Sequence, residues 1–339
     1  LFPYTTLFRS PEVSQTVPQQ RHKPGGAAAA GLLVLATAGF TGWVVLSVVG
    51  FDANRYAVAL IALFPYAPVV GVVLALAGLL LRRWPVVLCA VLATAVSGGA
   101  LAPRVLADGP PQGGGEPLRV LSINTYYGSA SAEEIVRLVA SNRVDVLSLQ
   151  ELTPELVAEL DRAGLAAELP HRVFQAGPHA TGSGLASRYP LQETSLVEGT
   201  ANRQPSALVE LPGGATVEVV AVHAMYPMGK NTTPTWRSDM AALPDPVDGA
   251  VPRLLVGDFN ATLDHTPLRE LVDRGYRDAA ARTGRGWLPT WPEEGTLLPP
   301  PVTIDHVLCG GGLQARDFRV LPVPGADHRA VFTEVLVGR

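Results

Sequence analysis

The stretch Leu254-Leu255-Val256-Gly257-Asp258-Phe259-Asn260 is the most informative part of the sequence. It is an apolar run that ends at a glycine and is followed at once by a carboxylate and a carboxamide. Residues i and i+2 of an extended chain face the same side, so we expect Asp258 and Asn260 to point together at the end of a strand. Open α/β sheets carry their functional groups at such ends. The same residues also fit an Asx-rich turn after a buried strand.

Polar residues recur at the ends of other predicted strands. Strands are predicted over 118–123, 144–149, 216–222, 303–308 and 330–337 from their apolar and β-branched content. Any one polar residue beside them has an ordinary explanation; His223 alone would more often be a hydrogen-bonded structural histidine. A structural explanation does not account for acids, amides and imidazoles recurring together. The residues concerned are Asn124, Glu151, His223, Asp258, Asn260, Asp305, Asp327 and His328.

Predicted helices alternate with these strands. Ser131 and Glu134 form the S-x-x-E capping box of one helix. Pro154 stands at the first helical position of the next. The alternation of helices and strands, with β-rich stretches between, predicts an α/β (α+β) domain.

The N-terminal third is too apolar for an ordinary soluble domain. The 339-residue chain is 47% hydrophobic and 17% charged, and its mean hydropathy is +0.23. Three runs without charge, 27–50, 57–81 and 84–103, each meet the requirement of roughly 20 residues for crossing a bilayer. They predict three transmembrane helices, and Pro65 and Pro68 are expected to kink the second.

The basic residues beside these runs predict the orientation of the chain. Arg21 and Lys23 precede the first run, and Arg82-Arg83 separate the second from the third. By the positive-inside rule these residues are cytoplasmic. Three spans then place everything after Arg104 outside the cell, so we expect a multi-pass plasma-membrane protein with an extracytoplasmic C-terminal domain.

Composition also predicts the domain boundaries. A 1–26 tail precedes the membrane domain 27–104, and its first ten residues resemble translated adaptor sequence and are set aside. A Pro/Gly linker over 105–116 has no means of packing a core. The globular domain 117–339 follows it.

The charge and the cysteines of this domain limit its function. From Glu116 onward there are 19 Lys and Arg against 27 Asp and Glu, a net charge of −8, which disfavours a broad basic face for a polyanion. Two distant cysteines, Cys89 and Cys309, exclude a disulfide framework.

The order of these motifs resembles the endonuclease/exonuclease/phosphatase superfamily, which has the deoxyribonuclease-I-like fold. The resemblance covers nearly all of 117–337 and leaves the membrane part unmatched. It implies a four-layer sandwich of two packed β-sheets flanked by helices. The matching segments are Ser122-Ile123-Asn124, Leu149-Gln150-Glu151, Gly184 to Leu191, Val222-His223, Gly257 to Asn260, Thr303 to Val307 and Ala326 to Arg329.

The resemblance and the chemistry of phosphoester cleavage together imply a metal site. Charge accumulates on the phosphate oxygens during cleavage, and Mg²⁺ or Mn²⁺, which neutralises it, prefers carboxylate and amide oxygens. Glu151 is the first metal ligand expected, with Asn124 beside it. Asp327 or Asp305 would complete a site for one or two ions.

The remaining residues are assigned to catalysis. Asp258 and Asn260 would orient the attacking water and the phosphate, and Asp258 would also handle a proton. His328 would be general base or transition-state stabiliser, and the resemblance implies Asp305 as the carboxylate that holds it. His223 would donate to a phosphate oxygen or help to protonate the leaving group.

Three residues of the matching segments have more ordinary roles open to them. Arg188 either contacts the phosphate or is structural, and the structural role is favoured. Trp291 is assigned to packing rather than to substrate stacking. His306 follows Asp305 directly and is expected to point away from the site.

The predicted function is metal-dependent hydrolysis of a phosphodiester outside the membrane. Family prevalence favours a nuclease-type enzyme, and a sphingomyelinase-like phospholipid phosphodiesterase or a phosphatase is the alternative. A catalytically silent membrane receptor or scaffold on the same fold is an alternative of another class. It is disfavoured because Glu151, Asp258, Asn260, Asp305 and His328 are all present.

Overall fold

The computed structural model describes residues 24–109, 114–246, 249, 251–293 and 301–338. Its N-terminal region is helical. The helices are α1 (Pro24–Val49), α2 (Arg55–Ala62), α3 (Ala67–Leu80) and α4 (Trp84–Val105), with a 3₁₀ turn at Phe64–Tyr66. Two helical segments of the described chain, Ala28–Val49 and Trp84–Val105, are long and apolar enough to cross a membrane.

The predicted second span, 57–81, is not one straight helix. The chain is helical over Arg55–Ala62 and again over Phe64–Leu80, and the two parts are bent by 41°. Pro65 and Pro68 lie at the bend, where each lacks the N–H that a continuous helix needs. The expectation of three full spans is therefore corrected. The described residues hold two long apolar helices, or three spans only if the bent pair counts as one.

The described part of the C-terminal region contains twelve strands and several short helices. The strands are β1 (Glu116–Asn124), β2 (Val146–Gln150), β3 (His171–Gln175), β4 (Ser183–Ser187), β5 (Leu191–Thr194), β6 (Ser206–Glu210), β7 (Thr216–His223), β8 (Arg253–Asp258), β9 (Arg277–Asp278), β10 (Asp305–Cys309), β11 (Gln314–Leu321) and β12 (Ala330–Val337). The helices are α5 (Ala132–Ser141), α6 (Pro154–Arg162), α7 (Leu165–Glu168), α8 (Thr233–Ala241), α9 (Thr266–Asp273) and α10 (Ala279–Arg282), with a 3₁₀ turn at His179–Thr181.

The strands form two mixed six-stranded sheets. Their spatial orders are β11-β12-β1-β2-β4-β3 and β5-β6-β7-β8-β10-β9. The pairs β1–β2 and β7–β8 are parallel, and the other pairs are antiparallel. The sheets pack face to face, and helices cover both outer faces, so the predicted sandwich of two packed sheets flanked by helices is confirmed.

Strand β8 illustrates how the sequence produces this packing. Leu254 and Val256 belong to the core between the two sheets, and Leu255 belongs to the core under the helices of the second sheet. A central strand that is buried on both faces needs a continuous apolar run rather than an alternating one. Gly257 follows because a Cβ there would lie 1.9 Å from the carbonyl oxygen of Val222 on β7.

The helices begin where the sequence predicts them. Ser131 Oγ accepts a hydrogen bond from the backbone N–H of Glu134 at 3.2 Å, which caps α5. The reciprocal half of the capping box is replaced, because the Glu134 carboxylate pairs with Arg137 instead. Thr153 caps α6 in the same way, with Pro154 in its first turn.

The predicted linker does not separate the two regions completely. Helix α4 ends at Val105, and Asp108 then forms an ion pair with Arg282 while its backbone N–H donates to the Arg282 carbonyl at 3.1 Å. Residues 110–113 of the linker and residues 1–23 of the tail lie outside the described residues.

Candidate active site

The alternation of side chains along four strands brings the polar residues to one edge of the cleft between the sheets. In β8, Leu254 and Val256 face that core, so Asp258 faces the same way at the strand end. By the same alternation, Asn124 of β1, His223 of β7 and Asp305 of β10 lie on the side of their strands that faces this core. His223 and Asp305 both lie opposite Asp258 in the strand register.

Asp258 is the centre of this cluster. It is 1% exposed. Its Oδ1 accepts the backbone N–H of Asn260 at 2.7 Å, and its Oδ2 accepts from Asn124 Nδ2 at 3.0 Å. The Asn260 amide also donates to the Ala224 carbonyl at 3.0 Å, which holds it over Asp258. The Asx turn and the functional site are thus the same structure.

His328 and Asp305 form a buried acid–imidazole pair. His328 Nδ1 lies 2.9 Å from Asp305 Oδ2, and Nε2 faces Asp258 Oδ2 at 3.9 Å. Burial alone would lower the pKa of His328, but the carboxylates of Asp305 and Asp258 outweigh it and raise the pKa to about 10. The imidazole is therefore cationic at neutral pH, with its Nε2–H directed at Asp258.

The surroundings of Asp258 favour its protonated form. Desolvation by burial raises the pKa of the carboxyl to about 7, and the nearby Asp305 adds to the effect while His328 opposes it. A carboxyl group with a pKa near neutrality is suited to accept a proton from water. The pKa values of Asp258 and His328 are both raised, and they stay well separated, at about 7 and about 10, as expected of a base and an acid that work together.

His223 stays neutral in the same cleft. It is 3% exposed, and its Nε2 lies 3.9 Å from Glu151 Oε1. Burial, followed by the charge of His328, lowers its pKa to about 4. Its backbone N–H donates to Gln204 Oε1 at 3.2 Å. A neutral imidazole here is able to donate a hydrogen bond without adding a second buried cation.

Glu151 forms the more open side of the site. It follows β2 in a left-handed conformation, with φ +58°, which turns its side chain out of the alternation of the strand. Its Oε2 accepts the backbone N–H of Tyr127 at 2.7 Å, and its Oε1 accepts from Asn124 Nδ2 at 3.3 Å. Burial raises the pKa of this carboxyl. Asn124 therefore joins Glu151 to Asp258.

Asp327 lies at the rim of the site. Its side chain is 36% exposed, and its Oδ1 is 4.0 Å from His328 Nε2. Trp291 donates its indole N–H to Asp327 Oδ2 at 3.2 Å, and its ring lies beside His328 with centroids 6.4 Å apart. Trp291 thus orients a site carboxylate, a role beyond the packing expected of it.

The donor atoms of the cleft fit a hard divalent cation. Carboxylate and amide oxygens are present, and the thiols of Cys89 and Cys309 are elsewhere in the fold. Ligand atoms of Asp258, Asp305 and His328 lie within 4.8 Å of one another, close enough for one ion. The sequence predicted Glu151 and Asn124 as ligands, with Asp327 or Asp305 completing the site. His328 Nδ1 already bonds Asp305, so the Glu151 side offers the freer carboxylate.

In the structure, Arg188, for which the phosphate contact was the less favoured role, lies away from the other site residues. It follows β4, which is antiparallel to β2, so it lies at the N-terminal end of β2, opposite the site. Its Nε is 3.6 Å from Asp145 Oδ1, and its Nη2 donates to the Val144 carbonyl at 3.2 Å. These contacts make it structural.

Two supporting groups escaped prediction from the sequence. Thr290 Oγ1 accepts the backbone N–H groups of Ile304 and Asp305 at 3.0 and 3.1 Å and fixes the start of β10. The backbone N–H of Tyr127 holds Glu151. The Thr-Trp-Pro segment at 290–292 could have indicated the role of Thr290. The Tyr127 N–H could not be predicted, because every residue except proline has a backbone N–H. His306 points away from the site as expected, toward Asp278 at 2.8 Å.

Two β-sheets with helices on both outer faces and acids, amides and imidazoles at one edge define the class of this domain. A family model described as the Endonuclease/Exonuclease/phosphatase family matches residues 121–328. The chain therefore belongs to that family. A search of curated proteins found no match.

Solved structures show the same fold at low sequence identity. An endonuclease/exonuclease/phosphatase from Beutenbergia cavernae is 18% identical with a TM-score of 0.51 over 66% of this chain and 72% of its own. A humanized D. rerio TDP2 is 14% identical with a TM-score of 0.52 over 65% and 99%. A Caenorhabditis elegans TDP2 is 15% identical with a TM-score of 0.51 over 78% and 89%.

Proposed function

We propose that the protein is a membrane-anchored, extracytoplasmic phosphodiesterase that needs a divalent metal ion and cleaves its substrate by in-line attack of water. The observation that carries the proposal is the chain of contacts from Asp305 through His328 to Asp258, at 2.9 and 3.9 Å. Family membership supports a phosphoesterase. The silent scaffold is disfavoured because a protein without chemistry has no use for this buried and costly charge arrangement.

The proton chemistry is assigned to the buried groups. Asp258 takes a proton from the attacking water, and Asn260 helps to hold that water and the phosphate. His328 donates from Nε2 to a phosphate oxygen, because its raised pKa keeps it cationic. This favours the stabilising role over the role of general base. His223, neutral and buried, donates to the phosphate or to the leaving oxygen.

The metal is assigned to the open side of the site. Glu151, with Asn124 and Asp327, would hold Mg²⁺ or Mn²⁺. When bound, such an ion neutralises charge on the phosphate oxygens and the leaving group. Asn124 donates hydrogen bonds to both Glu151 and Asp258, so it would hold the ion site at a fixed position relative to the base.

The membrane topology is part of the proposal. The C-terminal ends of α1 and α4 and the N-terminal end of α3 face the catalytic domain, and Arg82-Arg83 stand at the opposite end, between α3 and α4. The positive-inside rule puts that end in the cytoplasm. Protease protection in intact cells tests this arrangement, and a cytoplasmic C-terminal domain would contradict it.

One experiment tests the activity. The full chain, purified in detergent, is assayed on bis(p-nitrophenyl) phosphate with Mg²⁺ and again after chelation. We expect hydrolysis that chelation abolishes and that His328→Gln reduces by about 10²-fold or more, the usual size of an acid–base contribution. Arg188→Ala is the matched control and should keep its activity. Hydrolysis by His328→Gln at the rate of the parent would refute the assignment.

A further inference from the structure

The catalytic domain is packed against the end of the membrane region. Val58 of α2 is 3% exposed and belongs to the hydrophobic cluster beneath α8 and α9, with Trp236, Phe259 and Leu268. The anchor therefore supplies part of a core that the catalytic domain does not close alone. A domain on a free tether would have no such shared core.

A buried aspartate joins α1 to α9. Asp52 is 0% exposed; its Oδ2 accepts the backbone N–H of Thr266 at 2.7 Å, and its carboxylate pairs with Arg237. It thereby satisfies an open N–H in the first turn of α9. Thr266 Oγ1 donates to the Gly50 carbonyl at 2.7 Å. Arg269 donates at 2.9 Å to two carbonyls in the last turn of α1.

A second set of contacts joins α4 to the domain. Arg104 binds both carboxylate oxygens of Asp264 at 2.7 Å, and the side chains are 15% and 4% exposed. A bidentate, largely buried pair of this kind fixes orientation as well as distance. The Gly286 N–H donates to the Arg104 carbonyl at 3.0 Å. The adjacent Trp287 is 62% exposed at this level, where tryptophans favour a bilayer interface.

Two chain segments that carry or support active-site residues continue directly into the contact between the anchor and the catalytic domain. Asp258 and Asp264 are six residues apart, so the base lies at most about 20 Å from the Arg104 pair. On the other wall, Tyr66 at the bend before α3 donates to the Pro301 carbonyl at 2.7 Å. The next residue, Val302, pairs with Trp291, which holds Asp327.

We infer that the anchor docks the catalytic domain in a fixed orientation that keeps the site at the bilayer surface, and that the substrate is the phosphodiester of a membrane phospholipid. The inference rests on the proposed function. Water adds to the phosphorus, one P–O bond breaks, and the alcohol leaves with a proton, so that a phosphomonoester remains. The net charge of −8 from Glu116 onward argues against a long nucleic acid as the occupant.

The test separates docking from chemistry. The full chain is reconstituted in vesicles of phosphatidylcholine and phosphatidylglycerol, and three rates are measured: lipid headgroup hydrolysis, bis(p-nitrophenyl) phosphate hydrolysis and cleavage of an added single-stranded DNA. Arg104→Ala with Asp264→Ala removes the pair without leaving a buried charge unpaired. We expect lipid hydrolysis to fall about tenfold or more, because positioning is lost, while hydrolysis of the soluble ester is unchanged.

Two further variants complete the design. Arg104→Asp with Asp264→Arg should restore much of the lipid rate. Arg274→Ala with Asp245→Ala removes an exposed ion pair of 2.6 Å elsewhere and should change nothing.

The outcomes are distinct. Soluble-ester hydrolysis without lipid hydrolysis, DNA cleaved in preference to lipid, or an unchanged lipid rate in the double alanine variant would each overturn the inference. If the parent chain does not hydrolyse the soluble ester at all, the proposed function is refuted instead.

Discussion

The two sides of the active site are built differently. Asp258, Asp305 and His328 are at most 6% exposed and compensate one another, because a cationic imidazole lies between two carboxyl groups. Glu151 and Asp327 are more open, at 13% and 36% side-chain exposure; Asp327 lies 4.0 Å from His328 Nε2 at the rim, and Glu151 faces the neutral His223 at 3.9 Å. One side is therefore arranged to hold and move a proton, whereas the other has charge left for a metal ion.

The largest effect is expected from breaking the closed side at its base. Asp258→Asn keeps the size of the side chain but removes its ability to take a proton. We predict a fall in kcat of about 10³–10⁴-fold with a thermal midpoint close to that of the parent. Steady-state kinetics and thermal unfolding check the two statements. A loss below tenfold would mean that Asp258 is not the base.

Breaking the open side should change the metal requirement instead. Glu151→Gln removes the charge expected to hold the ion. Changes around a metal ligand typically cost roughly 10–100-fold in affinity, so we predict that half-saturation by Mg²⁺ rises by at least about that factor. Asp305→Asn serves as the comparison and should leave half-saturation nearly unchanged. Equal shifts in both variants would show that the two sides share one metal site.

The pH profile sharpens the comparison within the closed side. Asp258 acts as a base only when ionised, so activity should fall as the pH falls through about 7. His328 acts only as a cation, so activity should fall again as the pH rises through about 10. Bound Mg²⁺ favours the carboxylate and should move the acid limb downward. Asp305→Asn should move the alkaline limb downward, because His328 loses the carboxylate that contributes most to raising its pKa.

The smallest effect is expected at the rim. Trp291→Phe removes the indole N–H that donates to Asp327 at 3.2 Å and keeps most of the packing. One hydrogen bond to a partly exposed group corresponds to about a threefold to tenfold change. We predict such a decrease in kcat/KM, measured on bis(p-nitrophenyl) phosphate. A loss as large as that of Asp258→Asn would place Trp291 in direct contact with the substrate.

Much of the fold could be predicted because its strands have strong local signals. The run Leu254 to Val256 and the polar pair after it located β8 and the edge of the sheet. The bend between α2 and α3 was visible as Pro65 and Pro68, but its size was not, because a proline-containing membrane helix stays straight or breaks according to what packs on it. Here α2 packs on the catalytic domain through Val58.

The sequence predicted which residues form the candidate site better than it predicted how they are arranged. The polar side chains of four strands converge because the period of two is a local property of the backbone. For Arg188 the sequence left two roles open, since the position of this residue depends on the direction in which β4 pairs with β2, a nonlocal choice. The support from Tyr127 N–H and Thr290 Oγ1 depends on loop conformation, which residue types do not specify.

The class of fold, the apolar N-terminal helices and the residue types at the strand ends follow from the sequence alone, because apolar periodicity and strand-end chemistry are local. The packed fold alone brings Asp258, Asp305 and His328 into one buried charge system, since burial and distance set the pKa values of Asp258 and His328. It also decided that Asp52 and Arg104 of the anchor bind the catalytic domain. Those contacts join residues more than 150 positions apart, and only the packed fold brings them together.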